Sequence, residues 1–284
     1  MQLANTIKFV QTHGYLDEEV YMEQPQGFID SFHPDYVCRL HKSIYGLKQG
    51  LRAWFNRLST ALLELGFIGS QVDHSLFIYH VGTTHMFLLV YVDDIIVTSY
   101  HASSVDWLVD KLKVDFAMKD LGPLRYFLGV QVIRTTAGLH LRQSKYVVDL
   151  LRRIKMDEAK PYGAPCLTGS KMSRFDGEVL SNPTTFCHVV GALQYATLTQ
   201  PDLAYSVNQL CQHMHQPTTV HWTAAKRVFH YLKGSIDYGL FFSKGPLELH
   251  AYCDSDWAGN PDDKRSTTGF GIFIGSNLIS WAAK

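Results

Sequence analysis

The sequence has no excess of either charge: 26 Lys and Arg balance 26 Asp and Glu, for a formal net charge of +0. That excludes a global positive field around the chain, so any affinity for a polyanion has to come from local patches. Paired cysteines are lacking as well. The five present (Cys38, Cys166, Cys187, Cys211 and Cys253) are scattered and form no Cys-x-x-Cys, which argues against a disulfide framework or a zinc finger. They fit a reducing, intracellular setting, cytoplasm or nucleus. Long apolar runs are missing too. The longest, 86–92, is far shorter than a membrane span, and no basic stretch leads into an apolar core at the amino terminus, so no membrane partner is expected. No nucleophile elbow or phosphate loop occurs, and Gly269 and Gly271 lie in a strand-like run, which removes a dinucleotide loop from consideration.

What is present is core material: 284 residues, 46% hydrophobic and 13% aromatic, enough for two compact units. Between 52 and 67 the residues Trp54, Phe55, Leu58, Leu62, Leu63 and Leu65 recur at helical steps, which predicts an amphipathic helix. The β-branched and aromatic runs 75–79 and 86–97, with Gly82-Thr83-Thr84 between them, predict strands. Ser104 is placed to cap a helix, 126–134 and 139–142 read as a hairpin, and Ser144 opens a helix to Lys155. The order predicts an α+β unit ending near residue 160. A loop-rich stretch over 160–182 follows, then helical patterns at 184–198, 201–214 and 219–233, then strand-like runs at 238–242, 247–253, 268–275 and 278–282. Residues 1–35 show no clean period, and Lys8 stands there against Asp17, Glu18, Glu19, Glu23, Asp30 and Asp35.

Asp93 and Asp94 lie between the apolar runs 90–92 and 95–97. A lone Asp-Asp pair is usually a polar turn, yet carboxylates amid apolar strands are costly to desolvate unless something compensates. A divalent cation, Mg²⁺ or Mn²⁺, would do so, and a hairpin tip would lift the oxygens above the sheet for two-metal nucleotidyl transfer. Downstream, Lys145, Arg152, Arg153 and Lys155 share a helix with only Asp149 to oppose them. Such a face is either simply solvated or turned to phosphates. Cys211, His213 and His215 alternate at two-residue spacing, which on a helix splays them over different faces and reads as an ordinary helix end.

Tyr91-Val92-Asp93-Asp94 resembles the Tyr-x-Asp-Asp box of reverse transcriptases. The segments 44–49 (Ile-Tyr-Gly-Leu-Lys-Gln) and 52–55 (Arg-Ala-Trp-Phe) are similar to the signature of copia-type LTR retrotransposon Pol polyproteins, as are 18–25, 126–130, 191–195, 201–205 and 231–234. The resemblance implies a right-hand polymerase palm and thumb over 1–160 with the fingers missing, a linker and helical connection over 161–235, and a truncated ribonuclease H-like α/β start over 236–284. It implies Asp93 and Asp94 as catalytic metal ligands, Tyr91 near the primer terminus, Lys48 and Gln49 beside the incoming nucleotide, and Leu128-Gly129 as a primer-grip turn. Lys145, Arg152 and Arg153 would meet phosphates, and Asp254 would be the first metal ligand of the ribonuclease H-like part. Implied partners are an RNA or DNA template-primer, dNTPs and the remaining Pol segments.

The chain also departs from that pattern. The family's third carboxylate falls, counting back from Gly14, on Thr6, and a neutral hydroxyl there leaves a metal pair underneutralised. Gly50-Leu51 replaces the usual Ala-Pro, and Cys187-His188 a frequently basic position. Two functions are therefore expected to compete: an RNA-directed DNA polymerase fragment and a degenerate remnant that at most binds nucleic acid. A free-standing nuclease would need a complete acidic set in the last 40 residues, which is not there.

Overall fold

A computed structural model describes residues 3–9, 15–42, 44, 47–167, 169 and 171–284. The architecture is mixed α and β, with six α-helices and four sheets among the described residues, and it separates into two units, 1–124 and 125–284.

The first unit contains β1 (Leu3–Phe9), β2 (Tyr15–Glu23), β3 (Val37–Lys42), α1 (Lys48–Glu64), β4 (Ile68–Gly69), β5 (Leu76–Val81), β6 (Thr84–Tyr91), β7 (Asp94–Ser99), α2 (Ala102–Asp115) and β8 (Met118–Pro123). Six of the strands form one sheet in the order β4-β5-β6-β7-β1-β8, and β2 pairs with β3 separately. Strand alternation sorts the sheet's faces. Ile7, Phe9, Met86, Leu88, Val90, Ile95 and Val97 are buried with Trp54, Leu58 and Leu62 of α1 and Val105, Leu108 and Leu112 of α2, in one core cluster. Each such side chain contributes about 1.5–3 kcal/mol on burial. The alternate residues, Phe87, Tyr91, Asp94 and Lys8 among them, point away from that core and are exposed or half-buried. The predicted hairpin and helix are present. The helix begins at Lys48 rather than 52, and α2 begins at Ala102 with His101 as its N-cap, so Ser104 sits inside the first turn. Residues 3–9 and 15–23, which showed no period, are strands. β1 lies between β7 and β8, so its pairing is decided by chain 86 to 118 residues away.

The second unit contains β9 (Tyr126–Phe127), β10 (Val130–Arg134), β11 (Gly138–Arg142), α3 (Ser144–Arg153), α4 (Pro183–Ala196), a 3₁₀ turn (Pro201–Leu203), α5 (Ala204–Cys211), α6 (Thr219–Gly234), β12 (Gly239–Ser243), β13 (Leu249–Ser255), β14 (Thr268–Ile274) and β15 (Asn277–Ala283). The pattern at 201–214 thus divides into a 3₁₀ turn and a short helix. The four α-helices and the 3₁₀ turn bury Val147, Leu150, Phe186, Leu193, Leu203, Val207, Leu210, Val228 and Phe229 together. Pro183 and the Asn182 side chain start α4, and a Thr218/His221 capping box starts α6. β13, β14 and β15 form an antiparallel meander, while β12 adds to the edge of β11 in the sheet β12-β11-β10-β9. No described helix is long and apolar enough to cross a membrane.

Candidate active site

The β6–β7 hairpin is closed by the pair Tyr91↔Asp94, which leaves Val92 and Asp93 as its two-residue turn. Val92 has φ +50°, a conformation that a β-branched residue adopts at a strain of about 1–3 kcal/mol. Core packing of Val90 and Ile95 on the flanking strands anchors the turn, and the Phe9 backbone N–H donates to the Asp93 carbonyl oxygen at 2.8 Å. Strain held in place by its surroundings is a recurrent property of functional turns.

β1 runs alongside, with Lys8 opposite Asp94 and Thr6 opposite Ile96. The Lys8 ammonium lies 3.4 Å from Asp93 Oδ2 and 3.5 Å from Asp94 Oδ1, with the two carboxylates about 30% exposed and the lysine 49%. First Asp93 and then Asp94 hold the Lys8 pKa above its usual value. Thr6, two residues back on the same strand face, is 6% exposed, and its buried Oγ1 has no hydrogen-bond partner. The arrangement is therefore two carboxylates at a strained tip, one ammonium across both, and an unsatisfied hydroxyl beside them. Sequence reasoning missed Lys8. The alternation Thr6, Lys8 against Ile7, Phe9 was the available signal, but it points to the carboxylates only once β1 is known to pair with β7.

The other expected residues are distributed as follows. Tyr91 flanks the turn and is 51% exposed. Lys48 and Gln49 open α1, but their side chains lie outside the described residues. In the second unit, Leu128 (φ +46°) and Gly129 (φ +77°) form the turn between β9 and β10. The Tyr195 hydroxyl of α4 donates to the Leu128 carbonyl, and a Cβ on residue 129 would come within 2.5 Å of that hydroxyl. Tyr195 was legible only as part of a motif. Lys145, Arg152 and Arg153 are exposed on α3, Arg152 at 3.8 Å from Asp149. Asp254, exposed on β13, borders a cleft of about 590 Å³ with Asp202 and Asp256. Asp202 accepts from the Tyr231 hydroxyl at 2.5 Å, Asp256 from the Thr267 backbone N–H at 2.7 Å and Asp254 from the Ser255 backbone N–H at 2.9 Å, so all three already have partners.

Comparison with known proteins gives this geometry its setting. Residues 5–168 match the family model described as reverse transcriptase (RNA-dependent DNA polymerase). The chain belongs to the reverse transcriptase family. It is 48% identical over 272 residues to the retrovirus-related Pol polyprotein from transposon RE2 of Arabidopsis thaliana, and 46% identical over 272 residues to that from transposon RE1 of the same plant. Each alignment covers 95% of this chain and 19% of the polyprotein, so the chain spans about a fifth of these copia-type relatives. An uncharacterized mitochondrial protein of A. thaliana is 46% identical over 200 residues, 70% of this chain and 83% of that protein.

Reverse transcriptases generally use divalent metal ions, and this carboxylate pair is a poor fit for a pair of them. Among the described residues no three His, Cys, Asp or Glu side chains gather to hold a metal. Thr6, two residues along β1 from Lys8, brings no charge, and the Lys8 ammonium already bridges both aspartates. Two carboxylates shared with an ammonium leave too little negative charge for two divalent ions.

Proposed function

We propose that this chain is the palm-bearing segment of a retrotransposon RNA-directed DNA polymerase, in a copy that grips a primer-template but performs nucleotidyl transfer poorly. The observation that carries this reading is the hairpin tip itself. Asp93 and Asp94 stand at a strained turn on the open face of the sheet, as a polymerase requires, but beside Thr6 and under Lys8. In this reading 1–160 is palm and thumb, 161–235 the helical connection and 236–284 the start of a ribonuclease H-like part with Asp254 on its first strand. Tyr91 lies at the primer end, and Lys48 and Gln49 at the incoming dNTP. The Leu128-Gly129 turn grips the primer, and the exposed Lys145, Arg152 and Arg153 take backbone phosphates, which supplies affinity without sequence preference. The remaining Pol segments are its natural partners.

The deficit is separable from binding. A labelled primer-template should be shifted in a gel by the chain, with an affinity that falls steeply as salt rises. With an upstream fingers segment from a related polyprotein attached, Mg²⁺-dependent primer extension should be slow and should rise at least about tenfold, or about 1.4 kcal/mol of barrier, on Thr6→Asp. Unchanged extension in Thr6→Asp would remove Thr6 as the cause, and brisk extension by the unmutated chain would remove the deficit altogether.

A further inference from the structure

The second unit encloses a cavity of about 580 Å³ between α5, α6 and the segment that follows residue 161, well away in sequence from Asp93 and Asp94. That volume is in the range of small-ligand sites. Its walls are chemically lopsided: Tyr162, Met172, Tyr205 and Val220 give flat and apolar surface, Lys226 and Arg227 give positive charge, and no Asp or Glu is among the described residues that line it. Two polar atoms on residues that line it lack partners. Ser206 is 5% exposed, and its buried Oγ has no hydrogen bond; the buried Nε of Arg227 has none either. The guanidinium is held in place all the same, 5.1 Å from the centroid of the Tyr162 ring, which is itself stacked on His230 at 4.3 Å.

A buried guanidinium N–H and a buried hydroxyl without acceptors are costly to desolvate, and a cationic pocket with no carboxylate has nothing of its own to satisfy them. An anion would. Arg presents a planar fork that matches phosphate oxygens, and the neighbouring Lys226 adds the second charge suited to a dianion. The rest of the wall is suited to a flat ring: Tyr205 is 47% exposed, and Met172 and Val220 line the same space. We propose that this cavity is a binding site for a nucleoside monophosphate unit, free or at the 5′ end of a single strand, with the phosphate on Arg227 and Lys226, Ser206 in reach of its oxygens and the base against Tyr205. The site belongs to the helical unit and does not depend on the polymerase reading.

The test is calorimetric titration of the 284-residue chain with AMP, adenosine, inorganic phosphate and a 5′-phosphorylated oligo(dA). AMP should bind saturably and more tightly than adenosine or phosphate. Arg227→Gln should weaken it about tenfold to a hundredfold, the loss of one charge-assisted contact, and Ser206→Ala less. Val220→Trp, which fills the space while leaving Arg227, Lys226 and Ser206 in the chain, should abolish binding while far-UV circular dichroism stays unchanged. Oligo(dA) binding more tightly than AMP assigns the site to a strand end, and equal affinity assigns it to the free nucleotide. The proposal fails if AMP does not saturate, or if folded Arg227→Gln and Val220→Trp bind as the parent does.

Discussion

The two units handle their most expensive groups in opposite ways. In the first, the hairpin tip gathers charge: a strained Val92, two aspartates and one lysine, braced by a backbone hydrogen bond from β1. In the second, two equally difficult places away from the Arg227 cavity are kept neutral. Leu128 is strained like Val92, but a tyrosine hydroxyl holds it, and His213 stacks on His221 at 3.9 Å in a buried pair whose capping role needs an uncharged ring. Charge at a surface is screened by solvent and salt, whereas buried neutral hydrogen bonds are not. The first unit should therefore be soft towards ionic changes and the second towards acid.

Acidification should separate them most. Burial above all, and then the adjacent His213, push the His221 pKa down to about 4, and burial lowers that of His213, against the weaker opposing pull of Asp176 and Asp262. A pKa lower in the folded than in the unfolded state means that the unfolded chain takes up the proton first. The associated stability is complete above pH 6.5 and drains as the pH falls from there towards 4. The loss should be on the order of 2 kcal/mol, seen by hydrogen exchange as faster opening of α5 and α6 but not of α1. Equal loosening of both units would break the contrast.

A smaller effect is expected at the tethers. Tyr195→Phe removes the hydroxyl on the Leu128 carbonyl and should cost about 1 kcal/mol, with amide exchange quickened at β9 and β10. If those amides are unmoved, the turn stands without its tyrosine. The smallest change belongs to Lys8→Met, because a half-exposed ion pair stabilises by only about 0.2–1 kcal/mol. Its signature should be salt dependence: denaturation midpoints of mutant and parent should converge as salt rises. A gap that persists at high salt would mean that the lysine acts by packing instead.

Local chemistry made much of this readable from sequence. The helix near 52–67 declared itself through apolar residues at helical steps, and the β6–β7 hairpin through aspartates flanked by β-branched residues, because both signals lie within one element or one turn. What stayed hidden was non-local. β1 carries Thr6 and Lys8 among apolar residues and becomes intelligible only when placed between β7 and β8. The run at 238–242 read correctly as a strand, but its partner β11 lies about a hundred residues upstream. The carboxylates were therefore visible, and their counterion was not.

The pairing of β12 with β11 has a consequence for where this polypeptide can be divided. β12 is the outermost strand of its sheet and covers the full length of β11, from Gly138↔Ser243 to Arg142↔Gly239. A fragment ending after α6 would keep all its helices yet bare a row of amides and carbonyls along β11. An uncovered row of that kind recruits a strand from another molecule. Cleavage in the short stretch before Gly239 would thus yield a sticky product, prone to swap or stack, although no residue of the carboxylate hairpin had been disturbed.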